Sequence, residues 1–179
     1  MPKIVNVVGS GKLGVELDVR AVAEDIDAAV VKLSDTSYSN RVVYIREREG
    51  GPMATLFRSG SYHITGGSSI EETAALKDWM GERLHALGID ATATFDIKNV
   101  VVVGDLEQDI NLNQLVVWLG LEKTEYEPEQ FPGVIYHPPD VPCVFLIFGS
   151  ERVVVTGATS AEIAFDGFEE LKGELEELS

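Results

Sequence analysis

Ile4-Val-Asn-Val-Val8 is answered in the second half of the chain by Ile97-Lys-Asn-Val-Val101, which sets Asn6 and Asn99 93 residues apart. Leu13 and Leu106 keep the same spacing. Further on, Leu56-Phe-Arg-Ser59 returns as Ile147-Phe-Gly-Ser150, and Ile64-Thr-Gly-Gly-Ser68 as Val155-Thr-Gly-Ala-Thr159. Phe57 to Phe148 and Thr65 to Thr156 are both 91 apart, so the first copy carries two extra residues, expected near Glu49-Gly50-Gly51. Two copies of this length are too few and too long for a solenoid. They indicate a duplicated unit with internal pseudo-twofold symmetry, 1–92 and 93–179.

Each copy spells the same elements. A β run at 4–8 or 97–103 precedes a short helix, capped by Asp18 in one copy and by Asn111 in the other. Strands are expected at about 41–46, 53–58 and 61–65, then 133–137, 143–148 and 152–156. A longer helix closes each copy. Ser68-x-x-Glu71 reads as the capping box of the first, with Gly88 as its stop. Ala164, Phe168, Leu171, Leu175 and Leu178 form one apolar stripe on the second. Trp79 and Trp118 read as core. The order β-α-β-β-β-α in each copy gives an α+β fold, an antiparallel sheet with four helices on one side.

That arrangement leaves a face unaccounted for. An antiparallel sheet with one wet face alternates apolar and polar residues, yet Cys143-Val-Phe-Leu-Ile-Phe148 is apolar on both sides. Helices cover one face, so the other is either buried in a homodimer or is a functional surface.

The charge bears on which. The 179 residues hold 14 Lys+Arg against 30 Asp+Glu, a net −16, which argues against a polyanionic partner. But residues 1–90 carry 13 acids and 10 bases, and residues 91–179 carry 17 acids and 4 bases. No Asp or Glu falls in 53–65, 97–104, 131–139, 141–150 or 152–161. The strands are bare of carboxylates, and the charge belongs to helices and loops, either as ordinary solvated helix faces or as an adaptation to high salt. The single Cys143 excludes a disulfide framework and fits a reducing compartment. The start MPKIVNVV lacks a signal peptide's apolar stretch, and no apolar run is long enough to span a membrane. The expectation is a soluble intracellular protein.

Glu125-Tyr-Glu-Pro-Glu-Gln-Phe-Pro-Gly-Val-Ile-Tyr136, Phe145-Leu-Ile-Phe-Gly-Ser150 and Val153-Val-Val-Thr-Gly-Ala158 resemble the second repeat of the TATA-box-binding protein family. Ile4-Val-Asn-Val-Val8 with Glu16-Leu-Asp-x-x-x-Val-Ala23 resembles the first. The resemblance spans nearly the whole chain and is to the archaeal form. It implies a ten-stranded antiparallel saddle with four helices on the convex side, whose concave face binds and bends the minor groove of promoter DNA. No catalysis and no cofactor are implied. Partners would be double-stranded promoter DNA, transcription factor B and, indirectly, RNA polymerase, in the cytoplasm at the archaeal nucleoid.

By the same resemblance Asn6 and Asn99 lie near the pseudo-dyad with Thr65 and Thr156 beside them. Val8, Thr55, His63, Val101, Val144, Leu146 and Val154 form the floor. Phe131, with Pro132 after it, and Phe148 are the second repeat's wedges, and Phe57 is one of the first's. Its mate is Tyr38, or Ser39 by one residue. Arg58 and Arg152 are the remaining basic phosphate contacts; Tyr44, Ser61 and His137 stand where others would be. Glu127 and Glu129 match acids that contact transcription factor B.

Three other readings compete. Gly9-Ser-Gly-Lys-Leu-Gly14 after a strand spells the dinucleotide fingerprint, though its second copy lacks the glycines. His63, His85 and His137 show no metal spacing. A paralogue that keeps the fold but acts mainly through protein contacts, with weak or altered DNA specificity, is the main alternative, motivated by Tyr38, His63 and the few basic residues.

Overall fold

The computed structural model describes residues 1–34 and 42–178. The first repeat runs β1 (Lys3–Lys12), α1 (Val19–Asp25), β2 (Val30–Ser34), β3 (Val42–Arg46), β4 (Met53–Phe57), β5 (Ser61–Gly67) and α2 (Ile70–Ala86). The second runs β6 (Asp96–Asp105), α3 (Leu112–Leu119), β7 (Thr124–Glu125), β8 (Gly133–Tyr136), β9 (Val144–Phe148), β10 (Arg152–Ala158) and α4 (Ala161–Glu176). Neighbours in space follow the order β2-β3-β4-β5-β1 in one and β6-β10-β9-β8-β7 in the other, all antiparallel. The α+β class and the four helices are as expected. Each repeat gains one strand, β2 or β7, over the β-α-β-β-β-α order, which brings the total to ten. By compactness the chain divides into Asn6–Lys98 and a unit joining Met1–Val5 to the residues from Asn99 onward.

Each sheet buries one face under its helices. Val43, Ile45, Leu56, Tyr62 and Ile64 are fully enclosed in the first repeat; Val100, Val102, Ile147, Val153 and Val155 in the second. Each such side chain contributes about 1.5–3 kcal/mol by leaving water. Ala164, Phe168, Leu171 and Leu175 turn the stripe of α4 onto the second sheet, while Leu178 is 45% exposed. Trp79 is core, but Trp118 is 41% exposed on α3, against expectation. An eight-residue helix has too few turns for its apolar pattern to define one face. Cys143 is packed, and burial pushes its thiol up, away from nucleophilic use.

The caps follow the sequence with one shift. Asp18 accepts from Ala21 N at 3.1 Å, and Asn111 from Gln114 N at 3.1 Å. The capping box is Ser69 with Glu72, one residue later than Ser68-x-x-Glu71: Ser69 Oγ accepts from Glu72 N at 3.0 Å, and Glu72 accepts from Ser68 N at 2.7 Å. Gly88, at φ +80°, stops the helix.

The glycine fingerprint has a structural use. A Cβ on Gly9 would sit 2.3 Å from the Phe95 ring, and one on Gly11 1.8 Å from the Thr94 carbonyl oxygen. The segment before β6 lies on those glycines, with Thr94 N bonded to Lys12 O at 2.9 Å and Thr92 N to Leu13 O at 3.1 Å. Tyr62, its pKa raised to about 12 mainly by burial, donates its hydroxyl hydrogen to Thr94 O. The space a nucleotide's phosphates would need against these glycines is filled by the chain itself.

The two extra residues of the first repeat are also relocated. Strand register makes Lys32 equivalent to Glu125, 93 apart, but Tyr44 equivalent to Ile135, 91 apart. The excess therefore lies between β2 and β3, not at Glu49-Gly50-Gly51.

Candidate nucleic-acid interface

In each repeat the face opposite the helices is half-buried and carries none of them. In the first repeat it presents Asn6 and Val8 from β1, Thr55 and Phe57 from β4, and His63 and Thr65 from β5. In the second it presents Asn99 and Val101 from β6, Val144, Leu146 and Phe148 from β9, and Val154 and Thr156 from β10. The sequence-predicted floor residues thus share one face within each repeat. Tyr38, with its alternative Ser39, lies outside the described residues.

The two asparagines are held by a matched device. β5 and β10 each bulge, the register slipping between Val7/Gly9 in one and Val155/Ala158 in the other. The bulges contain Gly66 at φ +84° and Gly157 at φ +81°, which explains the repeated Thr-Gly pair. Each bulge turns its glycine N–H toward the neighbouring asparagine: Gly66 N to Asn6 Oδ1 at 2.8 Å, and Gly157 N to Asn99 Oδ1 at 2.8 Å. An amide N–H on one end of the carboxamide identifies that end as oxygen. The NH2 groups are therefore the ends left for a ligand. That of Asn99 gives one hydrogen to Thr156 Oγ1 at 3.2 Å.

The aromatic residues stand at the ends of these faces. Phe131 and Phe148 meet edge to face, ring centres 5.6 Å apart at 64°. Phe57 meets His63 in the same way, at 5.2 Å and 64°. Phe131 follows a turn in which its N–H and that of Gln130 both bond Glu127 O at 2.9 Å. Glu127, Glu129 and Pro132 are exposed on that loop.

Electrostatically the interiors of both faces are free of carboxylate. Two acids at their margins have nitrogen-bearing neighbours. Asp105 stands 3.5 Å from Arg152, and Glu125 stands 3.8 Å from His137. Arg152 is thus a shared cation, although the pair is exposed and worth little. Arg58 is exposed at the β4–β5 turn. Sequence reading missed the outer basic groups of the first repeat, Lys32 and Arg46, which with Tyr44, Ser34, Val30 and Met53 line a depression of about 420 Å³. It also missed Ser10, Val103 and Ile135, which strand register brings onto the open faces. Among the described residues no cluster could hold a metal ion, and no helix is long and apolar enough to cross a membrane.

Comparison with known proteins gives one answer. Residues 1–86 and 94–178 match the family model described as transcription factor TFIID, or TATA-binding protein. TATA-box-binding protein C of Halobacterium salinarum is 39% identical, with 98% of each chain covered. The TATA-box-binding protein of Methanothermobacter thermautotrophicus is also 39% identical, covering 98% of this chain and 95% of its own. The solved structure of Methanococcus jannaschii TBP aligns over 98% of both chains with a TM-score of 0.82 at 34% identity.

Proposed function

The chain belongs to the TATA-binding protein family, whose members are transcription factors and not enzymes, and from that premise we propose that its open strand faces bind the minor groove of A·T-rich promoter DNA. The observation that carries the proposal is the pinned asparagine pair. A·T pairs offer only acceptors in the minor groove. Asn6 and Asn99 each have their oxygen engaged by a glycine N–H, which leaves donors toward the ligand. The surrounding Val8, Val101, Val144, Leu146 and Val154 are apolar and can lie against the sugar edges, and the carboxylates of Glu125 and Asp105 stand only at the outer ends of the second face.

Kinking by apolar wedges is the type behaviour of this family. Phe57, Phe131 and Phe148 are the residues proposed to insert, with Tyr38, or Ser39 by one residue, as the fourth, in the first repeat. Bent DNA together with the exposed Glu127 and Glu129 would then present a surface to transcription factor B, and through it to RNA polymerase, in the cytoplasm at the nucleoid.

With few phosphate-directed cations, affinity leans on groove contacts, and its salt dependence is expected to be shallow or even reversed. The test is an electrophoretic shift on A·T-rich duplexes from low to molar KCl, with and without transcription factor B. A selective shift that survives high salt supports the reading. Absence of any selective shift under all those conditions would overturn it and favour a protein-interaction paralogue. Steep loss with salt would refute the groove-dominated account of affinity.

A further inference from the structure

We infer that the two repeats read different base-pair chemistry: the first repeat's half of the site tolerates a G·C pair, and the second repeat's half rejects it. This rests on the DNA-binding reading above.

One rung of directly opposed residues crosses each sheet on its open face. In the first repeat it is Lys32, Tyr44, Thr55, His63 and Ser10. At the equivalent positions of the second it is Glu125, Ile135, Leu146, Val154 and Val103. Four of the five are aliphatic in the second rung and none in the first. The lanes on either side are matched, with Asn6 and Thr65 mirrored by Asn99 and Thr156, and Phe57 by Phe148. Equivalent positions further out also differ, Met53 for Val144 and Ser61 for Arg152, but the rung is where acceptor-bearing side chains face aliphatic ones. No hydrogen bond with another described residue occupies the side-chain hydroxyls of Tyr44, Thr55 and Ser10 or the imidazole nitrogens of His63.

A G·C pair adds an amino donor to the minor-groove floor. Pressed against Leu146, Val154 and Ile135, that donor loses water and gains no partner, the costly half of the hydrogen-bond balance. A mismatched pair of this kind costs about 5- to 150-fold in affinity. Against the first rung the same amino group meets hydroxyl and imidazole acceptors. Those hydroxyls also donate, so adenine N3 and thymine O2 are served as well. The first rung is thus tolerant without preferring G·C. A site with G·C on one side is bound one way round, and the rung orients the protein on its promoter.

A palindromic alternating A·T duplex tests this by competition in fluorescence anisotropy. One G·C pair placed in either half should cost less than about threefold, because the protein turns to lay its first repeat over it. A second, symmetric G·C pair should then cost the full 5- to 150-fold, roughly. The double variant Thr55→Leu, His63→Val should suffer the full loss at the first substitution. The reciprocal Leu146→Thr, Val154→His should tolerate both. These side chains are on the open face, and unchanged circular-dichroism melts would show that the variants fold. Equal successive losses for the natural protein, or a pattern unmoved by both double variants, would overturn the inference while leaving selective A·T binding intact. Failure to prefer the unsubstituted duplex over a scrambled one would remove the DNA-binding reading and this inference together.

Discussion

Changing Asn99 to Asp and to Ala separates two tasks that one carboxamide performs. Its Oδ1 accepts the Gly157 N–H at 2.8 Å and closes the bulge; its NH2 group faces the ligand. Asp keeps the acceptor and loses the donor, while Ala loses both. For stability, Ala is the worse change. Gly157 is exposed, so water can replace the missing partner, and the cost falls at the low end of the ~0.5–1.5 kcal/mol net value of a hydrogen bond. In a chain of this size that is about 2–4 °C in Tm per kcal/mol. Asp should melt close to the natural protein. For binding the order reverses. Ala forfeits one donor, about 1 kcal/mol or fivefold. Asp sets a full negative charge about 3 Å from groove acceptors that carry roughly half a charge each, which at an effective dielectric near 20 costs about 3 kcal/mol, a hundredfold or more. Thermal melts and anisotropy titrations in the same buffer would show the crossover, and Asn6 with Gly66 should repeat it in the first repeat. Asp binding as well as Asn, or Ala binding more weakly than Asp, would refute the donor assignment.

Phe148→Ala removes a half-buried open-face ring that meets Phe131 at 5.6 Å, so the fold should persist while DNA bending, read by fluorescence transfer, decreases; unchanged bending would contradict its wedge role. Glu129→Arg should leave DNA binding in place and weaken the ternary complex with transcription factor B, and an unaltered supershift would exclude that contact. Gly104→Ala would put a Cβ 2.5 Å from the Phe168 ring, an overpacking expected to cost about 1–3 kcal/mol and to lower Tm; an unchanged melt would mean that α4 can shift without cost. Burial, then Glu170 and Glu177, push the Glu174 carboxyl up, so its charged form costs stability at neutral pH and that cost disappears as pH falls through its folded-state pKa. Glu174→Gln should accordingly raise stability at pH 7 by about 0.2–0.5 kcal/mol, with the gain fading near pH 4; a loss at pH 7 would reverse the sign of the reasoning.

What the sequence made legible was whatever repeats locally. Asn6 with Asn99 and Thr65 with Thr156 recur in identical neighbourhoods, and alternation within each strand assigns residues to faces without knowledge of the partner strand. Register is different, because it is a pairing over long separation that no local pattern encodes. β2 and β7 were missed because Val30–Ser34 has no clean alternation and Thr124–Glu125 is two residues long; each is a strand by virtue of its neighbour. With them went Lys32 and Glu125, hence the outer end of each rung and the true place of the two-residue insertion. The capping box slipped by one because Ser68 and Ser69 are both competent caps and Glu71 and Glu72 both competent partners. Only backbone geometry chooses between them.

The distribution of charge then acquires a physical reading that the net −16 concealed. The second repeat holds 17 acids against 4 bases, yet it also holds the aliphatic rung. Bringing a polyanion to the more acidic half is electrostatically unfavourable, and the unfavourable term must be offset by dehydrated, well-fitting contact, which aliphatic side chains supply only against an uninterrupted A·T floor. The first repeat, with 13 acids and 10 bases in residues 1–90, faces a weaker repulsion and has Lys32 and Arg46 at its margin. It can accept a polar rung and a less perfect fit. Stringency therefore belongs to the half in which approach is hardest. High salt should leave that division in place, since it screens the repulsion at the acidic half equally for every sequence and leaves the cost of a buried, unpartnered amino group unchanged.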